Sequence, residues 1–251
     1  MKKFFGLFLF LLVSNFLWAA QNEHGTSAEL EKWPKSNKYP NCGTIIPTGR
    51  ELIDAVSDNN ITRVNQLIAK QVNINFKNKN GNTALQTAVI LNNLEMVEVL
   101  LCAGAKTNIG NSYGDTPLMM AVTLNNLEMV AALLSAGANP NTRNNDGDTA
   151  LIQVAGLNNL EMMKDLLRAG ADPNIGNKYG NTPLMRASEL NYPEAVTMLI
   201  RAGADIHAKN IQKNTALDLA KQYNYQDILY ILNINNILNI KKEKDDYCSM
   251  Q

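Results

Sequence analysis

Histidine is almost missing: His24 and His207 are the only two in 251 residues. A histidine general base, or a metal held on imidazoles, therefore has little to work with. Cysteine is nearly as scarce, and the spacing of Cys42, Cys102 and Cys248 fits no metal motif and no disulfide framework. Cys42 and Cys248 remain able to pair in an oxidising compartment. Cys102 follows Leu100 and Leu101 and is expected to face inward as a buried thiol. Net charge is lacking as well, since 23 Lys+Arg balance 23 Asp+Glu. That balance removes the cationic surplus by which a protein binds nucleic acid or an anionic membrane, so neither is expected as a partner. Aromatics make up only 6%, but the 45% apolar content is ordinary for a globular chain and argues against disorder as the main state. Against these shortages stands one excess, asparagine, of which there are 35.

The first twenty residues read as an address. Lys2 and Lys3 precede an apolar run from Phe4 to Val13, followed by Ser14, Asn15 and a stretch ending in Ala19-Ala20. A basic start, an apolar centre and small terminal residues describe a secretory signal peptide over residues 1–20. A cut after Ala20 leaves Trp18 three residues before it, where a small side chain is preferred. The alternative is an uncleaved anchor, although residues 4–20 sit at the short limit of a span of roughly 17–25 residues. The expected location is thus exported, periplasmic or secreted, with membrane anchoring as the alternative. Loss of Lys2 and Lys3 lowers the basic count from 23 to 21 against 23 acidic residues, a mild −2. Residues 21–47 read as a linker, because Pro34, Pro40 and Pro47 interrupt a polar stretch whose large apolar anchor is Trp33.

Self-comparison organises the rest. Gly81, Gly114, Gly147 and Gly180 are spaced by 33, as are Thr83, Thr116, Thr149, Thr182 and Thr215. Leu85, Leu118, Leu151, Leu184 and Leu217 keep that register, and so do Gly104, Gly137, Gly170 and Gly203. A fixed step of this size marks a stacked repeat array. Each Thr can cap the N-terminus of a helix, with Pro117 or Pro183 following where a missing N–H costs nothing. The next helix places Leu127, Val130, Leu133 and Leu134 on one apolar stripe. Gly137 and its equivalents end that second helix. Asn92, Asn125, Asn158, Asn191 and Asn224 end the first, a left-handed position that asparagine tolerates. Asn78, Asn111, Asn144, Asn177 and Asn210 open each loop, where a short polar side chain closes a turn onto its own backbone.

These units resemble ankyrin repeats, on the strength of Gly114-Asp-Thr-Pro-Leu-Met-Met-Ala121, Leu127-Glu-Met-Val-Ala-Ala-Leu-Leu134 and Gly137-Ala-Asn-Pro-Asn141. The resemblance covers residues 48–240 and implies an all-α solenoid of stacked helix-turn-helix units with β-hairpin loops. Six repeats are expected, at about 48–77, 78–110, 111–143, 144–176, 177–209 and 210–240, followed by a charged tail over 241–251. The histidine that follows Leu in the family is here Gln86, Met119, Ile152, Met185 and Asp218, so its hydrogen bonds are expected to be missing. The ends differ from the middle, as terminal repeats do. The first opens on a capping-box spacing, Thr48 to Glu51, and has Gln71 where other units have Gly. The last has Lys213 in a Gly position and an apolar segment including Ile228, Leu232, Ile234, Ile237 and Leu238 to seal the stack.

Reactive chemistry is not suggested. Gly110 and Gly114 lack the Lys-Ser/Thr of a phosphate loop. Glu95, Glu128 and Glu161 recur at one repeat position, which suits helix electrostatics rather than acid–base work. No catalytic residue, cofactor or metal is expected, and an enzyme reading would need a pocket of convergent polar groups. The resemblance implies instead a monomeric module that binds a protein partner, whether as a scaffold or on a host protein, along its loop tips and first helices. The tip residues are Lys79, Asn80 and Asn82; Ser112, Tyr113 and Asp115; Asn145, Asp146 and Asp148; Lys178, Tyr179 and Asn181; and Ile211, Gln212 and Asn214. Tyr113 and Tyr179 are candidate anchors; otherwise each packs on its neighbouring loop. Leu91, Leu124, Leu157 and Leu190 recur near the end of each first helix, either as an apolar groove for a partner helix or extended peptide or as packing between repeats.

Overall fold

The computed structural model describes residues 48–235. The signal segment, the linker over 21–47, the tail over 241–251, Ile237, Leu238, Cys42 and Cys248 lie outside the described residues. Six helix pairs follow one another: α1 (Gly49–Ser57) and α2 (Ile61–Ala69), α3 (Ala84–Ile90) and α4 (Leu94–Cys102), α5 (Pro117–Thr123) and α6 (Leu127–Ser135). Then come α7 (Ala150–Ala155) and α8 (Leu160–Arg168), α9 (Pro183–Glu189) and α10 (Pro193–Arg201), and α11 (Ala216–Gln222), with α12 helical over 226–235. Within each pair the helices pack on each other, and each first helix packs on the first helix of the next pair. The first-helix row is in closer contact along the stack than the second-helix row, so the array curves toward the first helices.

These helices are only seven to nine residues long in most cases, too short to persist alone. Caps and burial hold them. The hydroxyls of Thr83, Thr116, Thr149, Thr182 and Thr215 accept from the backbone N–H three residues on. Pro117 and Pro183 occupy first-turn positions, and the Glu51 carboxylate accepts from Thr48 N at 3.3 Å. The second helices bury Met96, Val97 and Leu100, then Met129, Val130 and Leu133, then Met162, Met163 and Leu166, all fully. The core stripe is therefore centred nearer the methionines than the leucine pattern suggested, and Leu127 and Leu134 are half-buried. At the C-terminal end Ile228 and Leu232 are buried, whereas Ile234 is exposed.

Three expectations are corrected. Cys102 is exposed, because it lies two residues beyond the buried Leu100 and about 200° round the helix from it. The lost histidine bonds are partly restored: fully buried Gln86 accepts from Thr83 N at 2.9 Å and donates to Ile109 O of its own repeat at 3.1 Å and to Asp115 O of the next at 2.8 Å. Asp218 accepts from the Thr215 hydroxyl at 2.8 Å and from Thr215 N at 3.1 Å. The Thr215 hydrogen bond is the main cause holding its carboxyl below the usual range. The loops also differ in detail from the expected β-hairpins. They are tight turns, and no strand is present among the described residues.

Asparagine carries much of the connection between repeats. Asn59, Asn92, Asn125, Asn158, Asn191 and Asn224 all have φ between 52° and 59°. The next residue caps the second helix: Asn60, Asn93, Asn126 and Asn159 accept from the N–H three residues on at 2.9–3.0 Å. The amide groups of Asn93, Asn126 and Asn159 then donate back to Asn59, Asn92 and Asn125 of the preceding repeat at 2.6–2.7 Å. Farther along, Asn75, Asn108, Asn141 and Asn174 accept from the N–H of Lys106, Asn139, Asp172 and Asp205 at 2.7–2.9 Å.

One departure from the repeat pattern has a simple cause. Loop glycines Gly81, Gly114 and Gly147 have φ of 75–79°, and a Cβ on any of them would meet a backbone nitrogen of the next loop at 2.6–2.7 Å. Lys213 occupies the same position in the last loop with φ 66°, and no further loop follows it among the described residues. Gly114→Ala should accordingly cost more than about 2 kcal/mol, combining left-handed strain with a clash against Asn145. Lys213→Gly should change stability by no more than about 1 kcal/mol, with relieved strain offset by the freedom of glycine in the unfolded chain. Denaturant melts of the two variants check the contrast, and equal losses would contradict it.

Candidate partner-binding face

Each loop is built around its opening asparagine. The side-chain oxygens of Asn78, Asn111, Asn144, Asn177 and Asn210 each accept from the backbone N–H groups two and four residues on, at 2.9–3.1 Å. The loops join side by side through single backbone bonds. Ser112 N donates to Asn80 O at 3.2 Å; Asn145 N to Tyr113 O, Lys178 N to Asp146 O and Ile211 N to Tyr179 O do so at 2.9 Å. The tips therefore form one continuous row.

Within that row the expected tip residues fall into two groups. Lys79, Asn80, Ser112, Tyr113, Asn145, Asp146, Lys178 and Tyr179 are exposed. Asp115, Asp148 and Asn181 instead turn along the row, accepting from the Nδ2 groups of Asn144, Asn177 and Asn210 at 2.8–2.9 Å. They are half-buried, and their oxygens serve the scaffold. Asn82 Oδ1 is buried without a partner. In the last loop Ile211 is 68% exposed, Gln212 is exposed, and Asn214 is half-buried.

The two tyrosines are not equivalent. Tyr113 is 74% exposed. Tyr179 lies under the Lys178 ammonium, 5.0 Å from its ring centre, and Lys178 also pairs with Asp146 of the preceding loop. Its bond to Asp146, with Tyr179 second, holds the lysine above its usual pKa. As an exposed pair it adds little to stability, but it fixes a lysine and an aromatic ring on adjacent tips.

Beside the loops runs the exposed side of the first helices. Buried Leu85, Ala88 and Val89 point into the stack, which turns Thr87, Ile90 and Leu91 outward on the opposite face. Leu91, Leu124 and Leu157 are 44–47% exposed, and Leu190 is half-buried. The groove alternative for the leucine ladder thus has its exposed rungs in place. Sequence reasoning missed Ile90, which is exposed beside Leu91, and Tyr223, which is exposed one step of 33 beyond Leu190 and stacks on Tyr225 with ring centres 5.6 Å apart. The repeat step, carried one unit further, would have found Tyr223.

Elsewhere the described residues hold no cluster of three or more His, Cys, Asp or Glu side chains, and no described helix is long and apolar enough to cross a membrane. Glu95, Glu128 and Glu161 stand in the first turns of α4, α6 and α8, on the positive end of each helix.

The family model described as ankyrin repeats (3 copies) matches residues 52–144 and 125–210. The chain belongs to the ankyrin repeat family. Among solved structures it is similar to EF0377, an ankyrin repeat protein, at 31% identity and TM-score 0.67, over 72% of this chain and 96% of that one. It is also similar to an ankyrin repeat domain (ABAYE2397) from Acinetobacter baumannii AYE, at 28% identity and TM-score 0.69, over 73% and 96%. A comparison with curated proteins finds no match. Ankyrin repeats are protein–protein interaction modules, and their fold is in general a non-enzymatic scaffold. This chain is an ankyrin repeat solenoid whose loops and first helices are linked into two parallel rows.

Proposed function

We propose that this ankyrin repeat protein is an exported, monomeric interaction module that holds a partner protein, whether as a scaffold or on a host protein, against its loop tips and first-helix row. The observation that carries the reading is the exposure of Tyr113 at 74% and of Leu91, Leu124 and Leu157 at 44–47%, on a scaffold whose asparagines and glycines are taken up by hydrogen bonding and turns. The exposed parts of these side chains gain nothing from folding, and an aromatic group on the loop row beside leucines on the first-helix row offers a partner apolar contact area with few rotors to freeze. Every loop is bonded to its neighbour through the backbone, and a row held in that way binds with little cost of ordering.

Export rests on residues 1–20, and the alternative, a membrane-tethered scaffold, rests on Trp18 standing three residues before the expected cut. Mass measurement of the mature N-terminus separates them: a start near Gln21 is expected, and an intact residue 1–20 segment in the membrane fraction would favour the tether. Full-length protein confined to the cytoplasm would remove both.

Tyr113→Ala should weaken partner affinity by about 2 kcal/mol, roughly thirtyfold, and leave the melting temperature nearly unchanged. Tyr179→Ala should also weaken binding, and it additionally frees Lys178 from its ring. Normal affinity in both well-folded variants would place the interface elsewhere on the solenoid.

A further inference from the structure

One loop asparagine has an idle side chain and a glycine after it. The position before the loop glycine reads Asn80, Tyr113, Asp146 and Tyr179, and Asn80-Gly81 is the only Asn-Gly step in the sequence. Asn80 is exposed. Its backbone is used, the N–H donating to Asn78 Oδ1 at 2.9 Å and the carbonyl accepting from Ser112 N at 3.2 Å. Its side-chain amide forms no hydrogen bond among the described residues. The side chain of Asn111 is held instead, its oxygen accepting from Tyr113 N at 2.9 Å and from Asp115 N at 3.0 Å.

We propose that Asn80 is a site of spontaneous deamidation. The Gly81 amide nitrogen loses its proton and attacks the side-chain carbonyl carbon of Asn80. The new C–N bond closes a cyclic imide, and the side-chain nitrogen of Asn80 leaves as ammonia. Water then opens the ring at either carbonyl, giving an aspartate or an isoaspartyl link in which the main chain runs through the former side chain. No oxidant, reductant or cofactor enters the balance. Gly81 puts no Cβ beside the attacking nitrogen, which leaves the approach open.

The closed loop restrains this reaction, because Gly81 N–H donates to Asn78 O at 2.9 Å and must first leave that bond. The first loop is the one best placed to let go. Among the described residues it is bonded to one neighbouring loop, whereas the loops opening at Asn111, Asn144 and Asn177 are each bonded to two. Its bond to Ser112 N is also the longest of the row, 3.2 Å against 2.9 Å for the other three. The end of an array, held from one side, opens locally at lower cost than its middle. Asp146 precedes a glycine as well, but its carboxylate pairs with Lys178, and an ionised carboxylate resists nucleophilic attack. Deamidation of Asn80 puts a carboxylate beside Lys79 in the loop row. The isoaspartyl form also adds a backbone carbon, which shifts the Asn80 carbonyl out of register with Ser112 N.

The test incubates the full folded chain at mildly alkaline pH and reads each asparagine by peptide mapping with mass spectrometry. A parallel incubation in urea sets the rates of the unfolded chain. Conversion at Asn80 is expected to be slower in the folded chain than in urea, to lead the other described asparagines, and to rise with pH as the attacking nitrogen loses its proton. Folding should widen the lead of Asn80 over Asn111 by about tenfold or more, since two further hydrogen bonds hold the Asn111 side chain. An acidic species should build up on ion exchange of the unsubstituted chain and not of Asn80→Gln, whose melting temperature confirms that it folds. Hydrogen exchange at Ser112 N should quicken in that acidic species. The proposal is overturned if Asn80 stays intact in the folded chain, if folding leaves its lead over Asn111 unchanged, or if Asn80→Gln accumulates the acidic species equally. None of these outcomes bears on whether Tyr113→Ala weakens a partner, so the interaction reading stands or falls separately.

Discussion

The primary amide of asparagine accepts on one side and donates on the other, and the rest of this structure depends on that double capacity. At Asn93, Asn126 and Asn159 the oxygen caps a helix while the nitrogen reaches the previous repeat. At Asn144, Asn177 and Asn210 the oxygen closes a loop while the nitrogen reaches a neighbour's side chain. Aspartate could accept but not donate, and serine is too short to reach the adjoining repeat. A local turn and a contact between repeats are thereby made by the same residue, so neither forms well without the other.

This coupling matters because each unit is small. A pair of short helices buries too little apolar surface to stand alone, and stability in a solenoid comes from what neighbours share. Fully buried methionines and leucines supply the non-directional part of that sharing. The asparagine ladders supply direction, setting how far one repeat is turned and shifted on the next. Where a ladder stops, the sequence changes character: Tyr192 stands at the position of Asn159, leaving Tyr192 without a side-chain cap and ending the chain of amide bonds at Asn125 and Asn159.

Most of the fold could be read from the step of 33, because glycine, threonine and asparagine at fixed offsets each have a local backbone reason to be there. What could not be read was the direction of a side chain between units. Asp115, Asp148 and Asn181 stood among variable tip residues, yet they point along the row to the next loop's asparagine. Gln86 was counted as a lost histidine, although an amide can make the same kind of bond across the repeat boundary. Cys102 was misplaced by helical geometry alone, since a residue two beyond an inward leucine faces out. The exposed leucines were undecided because periodicity gives the face of a helix but not what covers it.

The central claim is that the amide ladders couple adjacent repeats rather than decorate them. A double-mutant cycle on Asn92 and Asn126, which share a 2.7 Å bond, tests it most directly by denaturant unfolding of Asn92→Ala, Asn126→Ala and the double variant. The cycle cancels the lost helix cap and the altered left-handed residue, leaving the bond between repeats. The account predicts a coupling of about 0.5–1.5 kcal/mol, the net worth of one such hydrogen bond. Losses that add to within about 0.3 kcal/mol would contradict it.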